Sequence, residues 1–373
     1  MKIMHVIPSL TRGGAERLLL IICKGLADID ANVRVKVLAL FDSLELLGQF
    51  TAAGIDVECL RLPRRGMIPK LSAVHAAIGR WRPDIVHTHL NHADRYGQSA
   101  AFLRGVRIRV MSVHNIERRW RAQEALTRYC GAALAARIVA VSQSVKEECV
   151  RRRVAPAAKI SVIYNAPAFV GGRTQPRRHP GAALRLVNVG KLDMQKGQRF
   201  AIGAMEAIRL RAPGSTLDIY GPDAGGFGSV LRGEITARGL EAVVRLNGPV
   251  DTVGEALDRA DVFIASSLWE GFHMAVVEAM SHGLPVVATD IAPHREIMAG
   301  MPESILVEPG SAAAIADAVI RLSADPLFYE RLSAAGMERA RFFSQQRMVG
   351  EYYALYRSLM EERAAGESRT SGT

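Results

Sequence analysis

Cysteine is scarce in this chain: Cys23, Cys59, Cys130 and Cys149 are the only four in 373 residues, and none stands at a short paired spacing from another. That excludes a zinc cluster and a secreted disulfide framework. Each lies in an apolar or helix-like stretch, so buried or idle thiols in a reducing compartment are expected. Long apolar runs are missing too. No stretch approaches the ~18 consecutive apolar residues that a spanning helix needs. The run Ile3–Ile7 ends at once in Pro8 and Ser9 and reads as a first strand, not as a secretory leader. The expectation is a cytoplasmic protein that is soluble or touches a membrane from outside. With 49% hydrophobic and 23% charged residues, the composition marks neither a disordered nor a fibrous chain.

What is present is length and alternation. A chain of 373 residues exceeds what one core usually supports, so two domains are expected. Strand-like runs occur at 2–7, 33–40, 56–60, 84–89, 108–114, 137–142 and 159–164, with helical spacing between most of them, as at Ala15–Ala27, Pro69–Trp81 and Arg118–Leu134. Residues 166–183 hold Pro167, Gly171, Gly172, Pro176, Pro180 and Gly181 and few large apolar side chains, which reads as a linker. Strand-like runs resume at 184–190, 216–221, 243–248, 261–266, 284–289 and 304–309, and two or three helices follow from Leu322 to Arg363. This pattern predicts an α/β protein of two Rossmann-like domains, residues 1–165 and 184–342, with a C-terminal helix and frayed tail over 343–373. In such sheets ligands bind outside the carboxyl ends of the strands, here expected to face a cleft between the domains.

Charge is unevenly spread. Residues 1–170 carry 26 Lys and Arg against 13 Asp and Glu, whereas residues 171–373 carry 22 against 24. A basic half beside a near-neutral one points to a polyanion. Arg118, Arg119, Trp120 and Arg121 open a helix-like segment with Leu126 and Tyr129, and Arg64, Arg65 and Lys70 lie in or just after a loop. Arg and Trp beside apolar residues suit an anionic membrane surface. No nucleic-acid motif accompanies the charge, so nucleic acid is not expected as a partner.

Three segments carry candidate chemistry. Gly13 and Gly14 precede a helix, where backbone can approach a ligand and free N–H groups favour an anion. The alternative is a plain tight turn. Lys191 follows the strand in NVGKLDMQKG and Lys196 stands five residues on, at a helix start. Two cations and a helix N-terminus could hold a diphosphate and neutralise it as a leaving group, or both could be solvated surface lysines. In SSLWEGFHMAVVEAMSHGLPVVATD, residues 266–290, Glu270 and Glu278 are eight apart across a Gly-Phe turn and a helix start. A helical rise puts them up to ~12 Å apart, too far for a glycosidase pair at ~5–9.5 Å. Two acceptors holding different hydroxyls of one elongated ligand fit better, with the N–H groups of Gly271 and Phe272 available to a sugar or phosphate oxygen.

The order GGAE, PDIVHTH, SVHN, VGKLDMQKG and EGFHMAVVEAMSHGLPVVATD resembles the retaining GT-B glycosyltransferases of family 4, over nearly the whole chain; the E-x7-E segment is the specific part. The resemblance implies the GT-B fold, with C-terminal helices packing back toward the N-terminal domain. It implies a nucleotide-diphosphate sugar as donor and no other cofactor or metal. By the same resemblance Glu270 binds hydroxyls of the transferred sugar, Glu278 binds the ribose, and Lys191 and Lys196 bind the donor diphosphate. The first of these cations is more often arginine in the family, and lysine lacks its planar fork. His114 would sit over the reacting sugar and, with His89, line the acceptor side. The acceptor expected is a lipid-linked saccharide or glycolipid at the cytoplasmic membrane face.

His87, His89 and His92 form a cluster that could suggest a metal, but no Cys or carboxylate follows at ligand spacing. Asp28 and Asp30 make a D-x-D in what reads as a turn away from strand carboxyl ends, so a solvated turn is expected. Two alternatives stay open: a sugar-nucleotide epimerase on the same scaffold, and a non-catalytic membrane- or RNA-binding protein that kept it.

Overall fold

The structure is a computed structural model that describes residues 1–63, 66–115, 122–167, 173–223, 225–250 and 253–370. The chain divides into two compact units, one of Met1–Ala168 with Gln345–Thr373 and one of Phe169–Ser344.

The first unit holds seven strands: β1 (Lys2–Ile7), β2 (Arg34–Ala39), β3 (Asp56–Cys59), β4 (Ile85–His89), β5 (Ile108–Val113), β6 (Arg137–Ala140) and β7 (Ile160–Val162). They form one parallel sheet in the order β3-β2-β1-β4-β5-β6-β7. The second unit holds β8 (Arg185–Val189), β9 (Thr216–Tyr220), β10 (Val244–Gly248), β11 (Val262–Ala265), β12 (Val286–Thr289) and β13 (Ile305–Val307). Their order is β10-β9-β8-β11-β12-β13, again all parallel. Every strand-like run of the sequence forms a strand, with ends within two residues of the expected ones. Parallel strands need long crossovers, and the helices that supply them cover both faces, which is why central strands such as β4 and β11 are buried along their whole length. In each sheet the strand order reverses once, between β1 and β4 and between β8 and β11. A crevice for ligands opens at such a point, beyond the strands' carboxyl ends.

Two apolar layers sandwich the first sheet. Met4, Val6, Leu38 and Val86 pack on Val74 and Ile78 of one face; Ile7, Val37 and Ala39 pack on Leu19, Cys23 and Phe50 of the other. The C-terminal helix Gln345–Thr370 belongs to this unit and lies on the helix Gly14–Ile29. Gly25 allows the approach, since a Cβ there would come within 2.7 Å of Val349. Tyr352 and Tyr356 are fully buried, and Tyr353 donates to Asp30 Oδ2 at 2.9 Å. The helix runs to Thr370, further than the frayed tail expected from sequence. The second unit has its own core, in which Leu186, Leu217, Ile219 and Ile264 meet Ile202, Met205, Val319 and Phe328.

Arg177, in the segment read as a linker, is firmly held. It is buried in the second unit and donates to the carbonyls of Leu257 at 2.9 Å, Ala260 at 2.8 Å and His282 at 2.9 Å. Composition hid this, because a single guanidinium with five N–H donors can replace an apolar anchor by binding carbonyls that the strand and helix ends leave over.

Candidate functional site

In the second unit the loops after β8 and β11 are joined at the reversal of strand order. Leu268 N–H donates to Gln195 O at 2.7 Å, Ser266 Oγ to Lys196 O at 2.8 Å, and Gln195 Nε2 to Trp269 O at 2.9 Å. Gly197 makes this possible: its φ is +62°, and a Cβ on it would lie 2.1 Å from the Ser266 carbonyl oxygen. Only glycine tolerates both that conformation and that approach. Glu270 is thereby brought against the other loop. Its Oε1 accepts from Lys196 Nζ at 2.5 Å and from Ser267 Oγ at 2.8 Å, and its Oε2 accepts from Gln195 Nε2 at 3.2 Å. The carboxylate is 6% exposed, and burial of a charge is tolerable here because it is paired and hydrogen-bonded. Lys191 is half-exposed and pairs with Asp193 at 2.7 Å. Burial would raise the Asp193 carboxyl, but the Lys191 ammonium and the Gln195 N–H more than offset this and hold it below its ordinary range.

Glu278 lies buried on the helix Met274–Ser281, one turn from its start. Gly271 precedes that start, and the Phe272 ring packs edge-on against Phe343 at 5.4 Å, so this side chain serves the core. His273, which sequence reasoning passed over, caps the helix start and begins a chain of imidazoles. His294 Nδ1 lies 2.8 Å from the Thr289 carbonyl, so that nitrogen carries the proton. His294 Nε2 must then accept from His273 Nδ1, 2.9 Å away. Burial holds His294 down at about 4 and His273 well below its usual value, so both rings are neutral near pH 7. The leftover His273 Nε2 is a buried lone pair with no partner among the described residues.

The first unit has its own cluster at the same topological place. His5 on β1 and His87 on β4 are register partners, and His89 is two residues along, so all three rings share one face of the sheet. His5 Nδ1 is 3.0 Å from His89 Nε2, and His89 Nδ1 is 3.2 Å from His114 Nε2, just beyond β5. His87 spends both nitrogens elsewhere, on the Tyr356 hydroxyl at 2.6 Å and Ser112 Oγ at 2.8 Å. His5, His87 and His89 are wholly buried, so of the two rings expected on the acceptor side only His114, half-buried, has any exposure. Burial depresses His5 to about 3, and burial with the nearby Arg128 depresses His114 to about 4. His92 stands apart, edge-on to Phe41. On the next helix Asp94 is buried, accepts from Thr88 Oγ1 at 2.7 Å, and is raised by burial to about 7 despite Thr88 and Arg128.

Gly13 caps the helix Gly14–Ile29 in extended conformation. A Cβ at Gly13 would meet the Glu16 carboxylate at 2.2 Å, and Glu16 is held by Thr11 Oγ1 at 2.9 Å. The anion expected at this helix start is, in the structure, the chain's own carboxylate. Asp30 is occupied by Asn32 and Tyr353. Arg118, Arg119, Trp120, Arg121, Arg64 and Arg65 lie outside the described residues. Among the described residues, a cavity of about 320 Å³ is lined by Met67, Leu71, Tyr96, Leu126 and Cys130 with Arg95. Among the described residues no helix is long and apolar enough to cross a membrane.

Comparison with known proteins adds an independent finding. Residues 12–166 match the family described as Glycosyltransferase Family 4, and residues 183–325 match that described as Glycosyl transferases group 1. The glycogen synthase of Mycobacterium tuberculosis is 26% identical over 69% of this chain and 64% of its own length. A GDP-mannose:cellobiosyl-diphosphopolyprenol alpha-mannosyltransferase of Xanthomonas oryzae is 30% identical over 62% of this chain and 61% of its own. The chain thus spans less than two thirds of either relative. In fold, Anabaena Alr3699/HepE in complex with UDP and glucose superposes with a TM-score of 0.82 over 96% of this chain and 100% of that one, at 21% identity. The two units therefore have the GT-B fold.

Proposed function

The chain belongs to the group 1, family 4 glycosyltransferases, and on that premise we propose that it moves a sugar from a nucleotide-diphosphate sugar to a lipid-linked saccharide or glycolipid, with retention and without a metal ion. The observation that carries this reading is Glu270, held rigidly between Lys196, Ser267 and Gln195 where the strand order reverses. A fixed carboxylate accepts from sugar hydroxyls without reorganising. The Lys196 ammonium on its other side stands ready for the diphosphate, whose negative charge grows as the anomeric bond breaks. Glu278 is assigned the ribose, Lys191 the diphosphate together with Lys196, and the N–H groups of Gly271 and Phe272 the sugar or phosphate oxygens. Gly13 and Gly14 are also assigned to the donor. His114 stands over the reacting sugar, the acceptor attacks from the face that the phosphate leaves, and a phosphate oxygen takes the acceptor's proton.

A nucleotide donor is supported by the fold neighbour that holds UDP and glucose, and a lipid-linked acceptor by the relative named for a diphosphopolyprenol. The basic run 118–121 in the sequence supports peripheral docking on the cytoplasmic face of the membrane. The test is release of nucleotide diphosphate from a panel of nucleotide sugars, with and without polyprenyl-diphosphate saccharide. Acceptor-dependent release that persists in excess EDTA is expected. Conversion of donor without acceptor would instead favour the epimerase, and abolition by EDTA with manganese rescue would overturn metal independence.

A further inference from the structure

We propose that His5 and His89 are positioning residues, which hold His114 in its Nδ1–H tautomer through a hydrogen-bond chain that runs in one direction. The proposal rests on the reading of His114 as the group over the reacting sugar and adds what that group can do there.

Three neutral imidazoles carry three ring protons between them, one each. All three rings are neutral near pH 7, because burial depresses every one of them. The chain has two links, His5 Nδ1 to His89 Nε2 and His89 Nδ1 to His114 Nε2, and each link needs one donor and one acceptor. Since a neutral His89 donates from one nitrogen and accepts at the other, only two polarities exist. In one, His114 Nε2–H donates inward, His89 passes the direction on, and His5 is left with a proton on Nε2. In the other, His5 Nδ1–H donates outward, His89 Nδ1–H donates to His114 Nε2, and His5 Nε2 is left with a lone pair. His5 Nε2 is buried without a partner. A buried N–H with nothing to bond is rarer in proteins than an unfilled lone pair, so the second polarity is the stable one. It follows that His114 Nε2 is committed as an acceptor. Nδ1, for which no partner occurs among the described residues, carries the proton. His114 then offers a substrate oxygen a donor and has no free lone pair with which to act as a general base. The direction also suits a reaction in which the acceptor's proton goes to the departing phosphate.

A rival use of these rings is metal binding, since one nitrogen from each of His5, His87 and His89 lies within 4.8 Å of the others. Both nitrogens of His87 and both of His89 are already bonded to protein groups, and only His5 Nε2 is uncommitted. One open lone pair is short of the three or four protein ligands that zinc takes.

The test is nitrogen NMR of the full chain labelled in histidine, which reads the tautomer without any substrate. His114 is expected to be protonated at Nδ1 and bare at Nε2. His5→Leu removes the donor that starts the chain, so mixed tautomers should appear at His114 and kcat should fall about tenfold, the worth of one hydrogen bond, with KM little changed. His5→Asn, whose amide can donate from the place of Nδ1, should restore both readouts, which a packing defect would not do. An Nε2–H tautomer in the wild type overturns the proposal, and so does stoichiometric zinc retained on His5. A His5→Leu chain with altered tautomers and unaltered kcat overturns the positioning role. Should the tautomers respond as expected while the wild type turns over no donor, the hydrogen-bond chain stands and the functional reading of the site falls.

Discussion

The two units share the order of their first six strands and place polar groups at the same reversal point, yet they fill it with opposite electrostatics. The first unit, rich in Lys and Arg, puts neutral imidazoles there: His5, His87, His89 and His114. The second, near-neutral overall, puts full charges there: Lys196 with Glu270 and, at the rim, Lys191 with Asp193. Net charge is therefore a property of the outer surface and says little about the site. The two histidine chains differ in a second way. That of the second unit is oriented by a backbone carbonyl, Thr289, whereas that of the first has no such anchor among the described residues and depends on which orphan His5 is left with.

The largest effect expected from this contrast is on the charged site. Lys196→Met leaves Glu270 buried with Ser267 and Gln195 as its hydrogen-bond donors among the described residues, and loss of one partner of a buried pair costs about 3 kcal/mol or more. Denaturant unfolding should register this in the second unit, and donor turnover should be abolished. A Lys196→Met chain as stable as wild type would mean that water reaches Glu270 and that the pair is not a buried one.

The neutral site should reveal itself in acid. The depressed values of His5, His87, His89, His114, His273 and His294 mean that the folded state disfavours their charged forms. Stability that depends on a depressed group is present above its unfolded value, about 6.5, and is lost as pH falls toward the folded values near 3 to 4. Melting temperature should therefore drop between pH 7 and pH 4.5. His87, the most central of the four in the first unit, gives the control: His87→Gln should flatten part of that drop. Equal slopes in both proteins would remove His87 from the account.

Asp94 runs the other way. Its folded value is raised to about 7, so the stability it confers is complete below its unfolded value and disappears as pH rises through about 7. Asp94→Asn keeps an acceptor for Thr88 but cannot ionise. Its melting temperature relative to wild type should rise between pH 4 and pH 8, and a constant difference over that range would show that Asp94 is ionised throughout.

Much of the fold could be read from the chain because it rests on local pattern. Apolar runs such as KIMHVI and DVFIAS are bounded by turn residues, and the helices between them follow from spacing alone. Lys191, Lys196 and Glu270 were legible as candidates from their place after predicted strands. That Lys196 and Glu270 meet was not, because they are 74 residues apart and the meeting depends on the Ser266 carbonyl passing over Gly197. Tyr356 and His87 are 269 apart, and no periodicity connects a C-terminal helix to β4. His273, lying among apolar residues, reads as a core position until His294 and Thr289 are seen beside it. The sequence pattern marks which element a residue is on; hydrogen-bond partners across elements are set by packing.

The smallest stability effect, and the sharpest test of the comparison, concerns the rim pair. Lys191 and Asp193 have side chains 52% and 35% exposed, so their attraction is screened by solvent and salt. Lys191→Gln should change unfolding free energy by no more than about 0.5 kcal/mol, in the range of exposed pairs. If Lys191 meets the donor's phosphate, however, the same variant should bind nucleotide diphosphate severalfold more weakly, and the loss should shrink as salt rises, because the cation then acts on a polyanionic ligand and not only on Asp193. Asp193→Asn should do the reverse, freeing the ammonium and tightening the nucleotide. Calorimetric titration of both variants at two ionic strengths separates these effects. Unchanged affinity in both would leave Lys196 as the only cation assigned to the diphosphate, and would mark Lys191 as a solvated lysine that shares the strand end without sharing its chemistry.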